Sequence, residues 1–285
     1  MTDRRLKYLL LLPALLGLAA ITFYPTLFLL RACFYDMGLD GRPQAFMGLA
    51  HFKRLMGDPL LGQALLNSLI LTVASVTLEL VLGLALALAA HAVGLRAGWR
   101  AVLLLPMLLS PIVVAIGWRL LYDTSFGVIN GVLAAFGADP VPWLSSPKLA
   151  RASLILVDVW QWTPFVFLIL LAGLAALPDE PFEAAEIDGA NAWQKFRDIT
   201  LPLLKPAIMV ALLLRTMDSL RLFDNVYILT RGGPGNATET LSYFIYRTAF
   251  ENFDLGYASA ISFLVLLATW GVSKVFIGRM AQEVA

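Results

Sequence analysis

Charged side chains inside an apolar part of the chain are the first candidates for a functional site. Residues three positions apart are neighbours on a helix, so oppositely charged members of such a series can pair. A charge inside a hydrophobic helix requires either a partner of that kind or an aqueous cavity. The pattern leaves two interpretations open, a structural ladder of ion pairs or a face that lines a polar binding cavity. Four residues form the series, with signs alternating at every third position: Arg215, Asp218, Arg221 and Asp224.

A group of aromatic and amide side chains in an earlier apolar segment has the chemistry of a binding site. Gln161, Trp162 and Phe165 are close in sequence, and sugars stack their C–H faces on aromatic rings and hydrogen-bond to amides. These three residues are therefore predicted to line a cavity. Trp160 is instead predicted to lie at the membrane–water interface, where tryptophan is enriched. Glu79, the one charge of its apolar segment, is expected to pair with a neighbouring helix or another subunit.

The composition makes the lipid bilayer the solvent for most of the chain. Of 285 residues, 59% are hydrophobic and 14% are charged, with a mean hydropathy of +0.77, whereas soluble domains carry about 25% charged residues. The net charge of +1 gives no support for a nucleic-acid partner. Cys33 is the single cysteine, which excludes an intramolecular disulfide and a cysteine-based metal cluster. His51 and His91 lack ligand-like spacing, so no metal or cofactor is expected.

Six apolar segments are long enough to cross a bilayer, which takes roughly 20 residues per helix. The expected fold class is an all-α membrane protein with six transmembrane helices in a single domain over 1–285. The first segment is too long for the apolar core of a signal peptide, and no cleavage site follows it, so it is predicted to remain as a span. The predicted spans are 8–30, 64–90, 101–121, 152–177, 203–229 and 256–277.

Basic residues before the first span favour a cytoplasmic N-terminus. Arg4, Arg5 and Lys7 precede that span, whereas the basic residues of the later loops divide almost evenly between the two sides. Six spans then place both termini in the cytoplasm. They also place the polar segment between spans four and five on the cytoplasmic side.

This polar segment, 178–202, has the pattern of two short helices outside the membrane. Pro181 and the acidic residues around it favour a helix start. Gly189 stands where that helix must end, because left-handed backbone has little steric cost only for glycine. A second short helix is predicted from about 191 to 199. The small alanine side chains of the first helix would allow it to lie deep in a groove of a partner protein.

The sequence of this segment resembles a known element. The run 183–206, which reads EAA, then DGA, and closes on ITLP, is similar to the coupling loop of permease subunits in binding-protein-dependent ABC importers. Other parts of the chain resemble permeases of the maltose and glycerol-phosphate type of carbohydrate importer. These parts are 46–59, 64–68, 111–118, 127–130, 229–235, 238–240 and 246–250.

The resemblance implies roles for two sets of residues. One set would couple the chain to an ATP-hydrolysing subunit: Glu183, Ala184, Ala185, Asp188, Gly189 and Ala190. The other set would bind substrate: Gln161, Trp162, Phe165, Arg215, Asp218, Ser219 and Leu222. This chain departs from the maltose pattern by placing charges where the maltose protein has neutral groups. The full set of substrate-binding residues of the maltose protein therefore cannot be assigned to this chain. The glycine-rich loop at 232–235 is expected to shape the extracytoplasmic rim.

The resemblance also implies an assembly and a location. The expected partners are a second permease subunit, most often a different chain, two cytoplasmic ATP-binding subunits and an extracytoplasmic solute-binding protein. The chain has no Walker A motif, so it is expected to be a non-catalytic subunit in a bacterial or archaeal cytoplasmic membrane.

The expected function has a substrate class, and two other classes of membrane protein are disfavoured. The expected substrate is a di- or oligosaccharide, with glycerol phosphate or another polyol derivative as the alternative. An intramembrane enzyme is disfavoured because the chain contains no HExxH or GxGD motif, and no GxSx elbow lies in a span. A freestanding channel or secondary carrier is disfavoured because such a protein needs no dock for an ATPase.

Overall fold

Helices account for most of the protein. The computed structural model describes residues 3–38 and 40–284, with side chains over 11–38 and 40–278. Arg4, Arg5 and Lys7, which carry the orientation argument, lie outside the described side chains. The helices are α1 (Asp3–Ala32), α2 (Ala50–Gly57), α3 (Pro59–Ala92), α4 (Ala97–Leu108), α5 (Pro111–Leu121), α6 (Val128–Ala135), α7 (Pro147–Ala175), α8 (Glu180–Ile187), α9 (Ala192–Lys195), α10 (Leu201–Ser219), α11 (Leu241–Tyr246) and α12 (Leu255–Val284).

Short irregular elements complete the described chain. A hairpin pairs β1 (Tyr35–Met37) with β2 (Pro43–Phe46) in antiparallel register, with Tyr35 opposite Phe46. Three π-helical turns cover Phe196–Thr200, Val226–Thr230 and Arg247–Glu251.

Spanning helices dominate the described residues. Five helices are long and apolar enough to cross a membrane, and a bent pair, α4 with α5, brings the number to six when it counts as one span. This confirms the expected all-α membrane fold with six spanning segments. The five long helices cover Leu11–Ala32, Pro59–Ala92, Pro147–Ala175, Ala192–Ser219 and Leu255–Gly278.

The third predicted span is not one straight helix. It bends by 88° between α4 and α5, and Ser110, between them, has an extended backbone with φ −60° and ψ 136°. Pro111 explains the break, because the proline ring disfavours a helical conformation at the preceding residue. Pro111 itself begins α5, where its missing N–H leaves no hydrogen bond unmade.

The fifth predicted span also differs from the expectation. Its helix ends at Ser219 instead of 229, and the second short helix of the polar segment is not separate, since helix runs unbroken over Ala192–Ser219. The π-helical turn joins α9 to α10, with the Leu201 N–H donating to the Phe196 carbonyl. Pro202 falls in the first turn of α10, where a missing N–H is tolerated.

The chain divides into two compact units, of which the larger comprises 60–243 and 271–285. Its core packs α3, α4, α7 and α10 through small residues that let backbones approach closely. A Cβ added to Gly83 would lie 2.8 Å from a methyl group of Val166. A Cβ added to Gly173 would lie 2.8 Å from Ala207 Cβ. These glycines therefore set the separation between neighbouring helices.

The smaller unit comprises 1–59 and 244–270 and contains a polar cluster. Arg54 Nη1 donates to Asp254 at 2.6 Å, and its guanidinium lies 3.9 Å from the Tyr257 ring centre. The Tyr257 hydroxyl donates to Asp58 at 2.7 Å. The loop after the first span, which is rich in turn residues, is therefore held to the start of α12 by specific contacts.

The close approach at Gly173 generates a stability prediction. Gly173→Ala is expected to lower the melting temperature of the purified protein in detergent, because the new methyl group overlaps Ala207 Cβ and overpacking costs about 1–3 kcal/mol. Gly271→Ala is the matched control, since this glycine is also helical and nothing lies within 4 Å of its added Cβ. Equal melting temperatures for the two variants would contradict the packing described here.

Candidate functional site

A buried ion network lies where three helices of the larger unit meet. Arg215 on α10 is 1% exposed, and its Nε and Nη2 donate to the two carboxylate oxygens of Glu79 on α3 at 2.6 and 2.8 Å. Nη2 also donates to Asp158 on α7 at 3.1 Å, and Nη1 donates to Asp218. Three carboxylates thus surround one guanidinium, whose central carbon also lies 5.0 Å from the Trp162 ring centre.

This network differs from a continuous ladder, which is one of the two interpretations that the charge spacing leaves open. The Arg215–Asp218 pair forms, but Arg221 and Asp224 make no ion pair within the described part of the chain. The reason is that α10 ends at Ser219, so spacing by three no longer places side chains on one helical face. Glu79 pairs with a neighbouring helix, as expected.

A small polar cavity lies beside the network, beyond the end of α10. Its volume is about 70 Å³. Of the seven residues predicted to bind substrate, five line it: Gln161, Trp162, Asp218, Ser219 and Leu222. The wall is completed by Pro111, Asp158, Arg221, Phe223, Asp224 and Asn225.

The other two predicted binding residues lie outside the cavity wall. Phe165 packs edge-on against Trp162, with ring centres 6.3 Å apart. Arg215 is enclosed by its carboxylate partners and does not line the cavity. Its partner Asp218, whose side chain is 57% exposed, does line it. Trp160 is 41% exposed and packs edge-on against Trp118.

The broken third span contributes directly to this site. Gln161 is fully buried, and its Nε2 donates to the Leu109 carbonyl at 3.2 Å. That carbonyl belongs to the break between α4 and α5, where the regular helical hydrogen bonds stop. The break, and the places of Asp158 and Asn225 in the cavity wall, were not predicted from the sequence. The Ser-Pro pair at 110–111 was the local signal for the break, whereas no local signal marks the other two residues.

The polar segment between α7 and α10 forms a defined loop. Helix α8 begins at Glu180, with Pro181 in its first turn, and Gly189 follows it with φ +76°, which confirms both predicted helix signals. Asn191 and Gln194 cap α9 reciprocally, with side chain to backbone distances of 2.8 and 3.0 Å. Gln194 is the third residue of the new helix, the position that a capping box requires.

An ion pair joins the two short helices of this loop, α8 and α9. Lys195 Nζ donates to Glu186 at 2.8 Å. This hydrogen bond and the nearby positive charge hold the pKa of Glu186 below its ordinary value.

The predicted coupling residues form the outer surface of the loop. Glu183, Ala184, Asp188 and Gly189 are exposed, and Ala185 and Ala190 are half-buried. Two large apolar side chains are also exposed nearby, Ile187 by 88% and Trp193 by 65%. Large exposed apolar side chains in the same loop as acidic residues are the composition expected of a protein interaction surface.

The segment that follows the glycine-rich loop is anchored to two spans. Asn67 on α3 donates to the carbonyls of Asn236 and Glu239 at 2.9 and 3.1 Å. Arg151 on α7 donates to the Ala237 carbonyl at 2.7 Å and to Asn67 at 3.0 Å. Ser68 accepts from the Leu241 N–H at 2.7 Å. Backbone carbonyls of this segment are thus satisfied by side chains of two spans.

The ion network generates a second stability prediction. Arg215→Gln is expected to destabilise the protein by about 3–5 kcal/mol, because it leaves the buried carboxylates of Glu79 and Asp158 without their shared cation in a low-dielectric interior. Arg221→Gln is the control, since this exposed arginine makes no ion pair among the described residues, and its effect should stay within about 0.5 kcal/mol. Chemical unfolding in mixed micelles measures both, and a mild effect of Arg215→Gln would show that the network contributes little.

Comparison with known proteins identifies the family of this chain. The family described as "Binding-protein-dependent transport system inner membrane component" matches residues 79–278. A probable ABC transporter permease protein of Sinorhizobium fredii is 41% identical over 86% of this chain and 80% of its own length. The trehalose/maltose transport system permease protein MalF of Thermococcus litoralis is 36% identical over 99% of this chain and 96% of its own.

Solved structures share the fold. A chain of a bacterial ABC transporter involved in the import of the acidic polysaccharide alginate superposes with a TM-score of 0.85, at 25% identity, over 97% of this chain and 95% of that chain. The matched family residues include the ion network, the cavity and the whole coupling segment. The chain therefore belongs to the family of inner-membrane permease components of binding-protein-dependent ABC transport systems.

Proposed function

We propose that this permease carries a carbohydrate, a di- or oligosaccharide, into the cytoplasm by ATP-driven alternating access. The observation that carries the proposal is the polar cavity at the end of α10, with Trp162 and Gln161 in its wall. An aromatic face and an amide beside carboxylates form the chemistry that recognises a hydroxyl-rich ring. A trehalose/maltose permease 36% identical to this chain supports the same class of cargo.

The size of the cavity supports a second permease subunit. At about 70 Å³, it is well below the roughly 300–1,000 Å³ of pockets that enclose a small ligand. In our proposal a second, similar chain faces this one and supplies the rest of the binding pocket. An extracytoplasmic solute-binding protein delivers the sugar, and a solved relative was crystallised with such a periplasmic protein.

The coupling loop supplies the proposed link to the energy source. Two cytoplasmic ATP-binding subunits would hydrolyse ATP, and this chain would be non-catalytic. Their clefts would receive α8 through the coupling residues at 183–190 and the exposed Ile187 and Trp193. Both termini would then lie in the cytoplasm.

A continuous helix provides the mechanical path from loop to cavity. Helix extends unbroken over the 28 residues of Ala192–Ser219, which is roughly 40 Å at 1.5 Å per residue. One end carries the capped turn of the coupling loop, and the other carries Asp218 and Ser219 in the cavity wall. A movement of the loop imposed by the ATPases would therefore displace the cavity wall directly.

Reconstitution tests the proposed function. The complete complex, with its binding protein loaded from a panel of neutral disaccharides, is placed in proteoliposomes, and ATP hydrolysis and sugar uptake are measured. We expect one or more sugars to stimulate both. The absence of stimulation by every sugar, in a preparation that hydrolyses ATP, would overturn the carbohydrate assignment.

The coupling role generates a mutational prediction. Gly189→Pro is expected to abolish uptake while the protein remains in the membrane, because proline cannot adopt the φ of +76° at this position. The Gly189 N–H, which donates to the Glu186 carbonyl at 3.1 Å, is lost as well. Glu183→Lys is expected to have the same effect by reversing a charge on the docking face.

Gly137→Pro is the matched control for Gly189→Pro. Gly137 follows the short helix α6 with φ +78°, and its N–H donates to the Ala134 carbonyl at 2.9 Å. The backbone perturbation is therefore the same, but it lies outside the coupling loop. Normal uptake by the Gly189 variant, or equal loss in both glycine variants, would count against the coupling assignment.

A further inference from the structure

The cavity wall contains buried hydrogen-bond acceptors without partners. Gln161 Oε1 and Asn225 Oδ1 have no hydrogen-bond partner among the described residues, and their side chains are 0% and 2% exposed. The orientation of the Gln161 amide is fixed, because Nε2 must face the Leu109 carbonyl to which it donates. Its oxygen is therefore the free end. Buried polar atoms are nearly always satisfied in proteins, so these oxygens favour an occupant that donates hydrogen bonds.

The charge of the wall points in the same direction. Asp158, Asp218 and Asp224 line the cavity, and Arg221 is the one cation among the described lining residues. Behind the wall, Arg215 is already shared with Glu79. The three aspartates and Glu79 supply four carboxylates, and Arg221 and Arg215 supply two guanidinium groups. The formal net charge of these six side chains is therefore −2. A cavity of that sign in a low-dielectric bundle repels an anion and attracts a cation.

We infer that this cavity selects carbohydrate that donates hydrogen bonds and is neutral or positively charged, and rejects uronates, sulfonates and phosphate esters. The inference rests on the proposed function and narrows its substrate class. Hydroxyl and ammonium groups are donors that match Gln161 Oε1, Asn225 Oδ1 and the free side of Asp218. A phosphorylated polyol would bring acceptors and negative charge to a wall that already has an excess of both.

Fluorescence of Trp162 tests the selection by charge. The assembled permease–ATPase complex is titrated without its binding protein, so that the selectivity of that protein does not enter. The probes are maltose, the disaccharide of chitosan and digalacturonate, which are neutral, cationic and anionic. The Trp162 signal is the difference between the wild type and Trp162→Phe. We expect maltose and the chitosan disaccharide to change it, and digalacturonate to leave it unchanged at the same concentration.

A pair of variants makes the charge argument specific. Asp224→Asn removes one carboxylate from the wall at constant shape, and binding of the chitosan disaccharide should weaken roughly tenfold relative to maltose. Arg221→Gln removes the lining cation and should not weaken the cationic disaccharide. Digalacturonate binding as strongly as maltose, or equal effects of the two variants on the cationic ligand, would overturn the inference.

Failure of the inference and failure of the proposed function can be told apart in one preparation. If sugar-loaded binding protein stimulates ATP hydrolysis but no disaccharide changes the Trp162 signal, the carbohydrate importer stands and the role of this cavity is wrong. If the Trp162 signal follows the expected charge order but no sugar-loaded binding protein stimulates hydrolysis, the cavity inference stands and the importer proposal fails.

Discussion

One guanidinium group holds three spanning helices together inside an otherwise apolar bundle. Arg215 on α10 is bound by Glu79 from α3, by Asp158 from α7 and by Asp218 from its own helix. Arg215, Glu79 and Asp158 could not be buried as isolated charges, because each would lack both water and a partner. The ion pairs among them fix how each of the three helices is rotated about its own axis, and that rotation decides which side chains line the cavity.

Interruptions of helices contribute polar groups to the site. The break before Pro111 frees the Leu109 carbonyl for Gln161, and the end of α10 at Ser219 releases the chain that contributes Arg221 and Asp224. Irregular backbone at membrane depth is tolerated where it lines a cavity or is buried in protein. Both interruptions meet this condition, so the same features that weaken the helices build the site.

The polar loop and the cavity share one helical element. Because α9, the π-helical turn and α10 are continuous, this helix connects the capped turn at Asn191 to Asp218 in the cavity wall. The segment that follows the glycine-rich loop is held by Asn67 and Arg151 from two other spans.

The membrane class, the number of spanning segments and both ends of α8 could be predicted from the sequence. These features are local: hydropathy over about 20 residues decides insertion, and Pro181 and Gly189 act through their own backbone angles. The partners of Arg215 were decided only by tertiary structure, since Glu79 lies 136 residues away and charge spacing on one helix says nothing about another. A ladder along the whole charge series, one of the two interpretations that the spacing left open, requires a continuous helix. That helix ends at Ser219, so Arg215 pairs with Asp218 on its own helix and with Glu79 and Asp158 on two others.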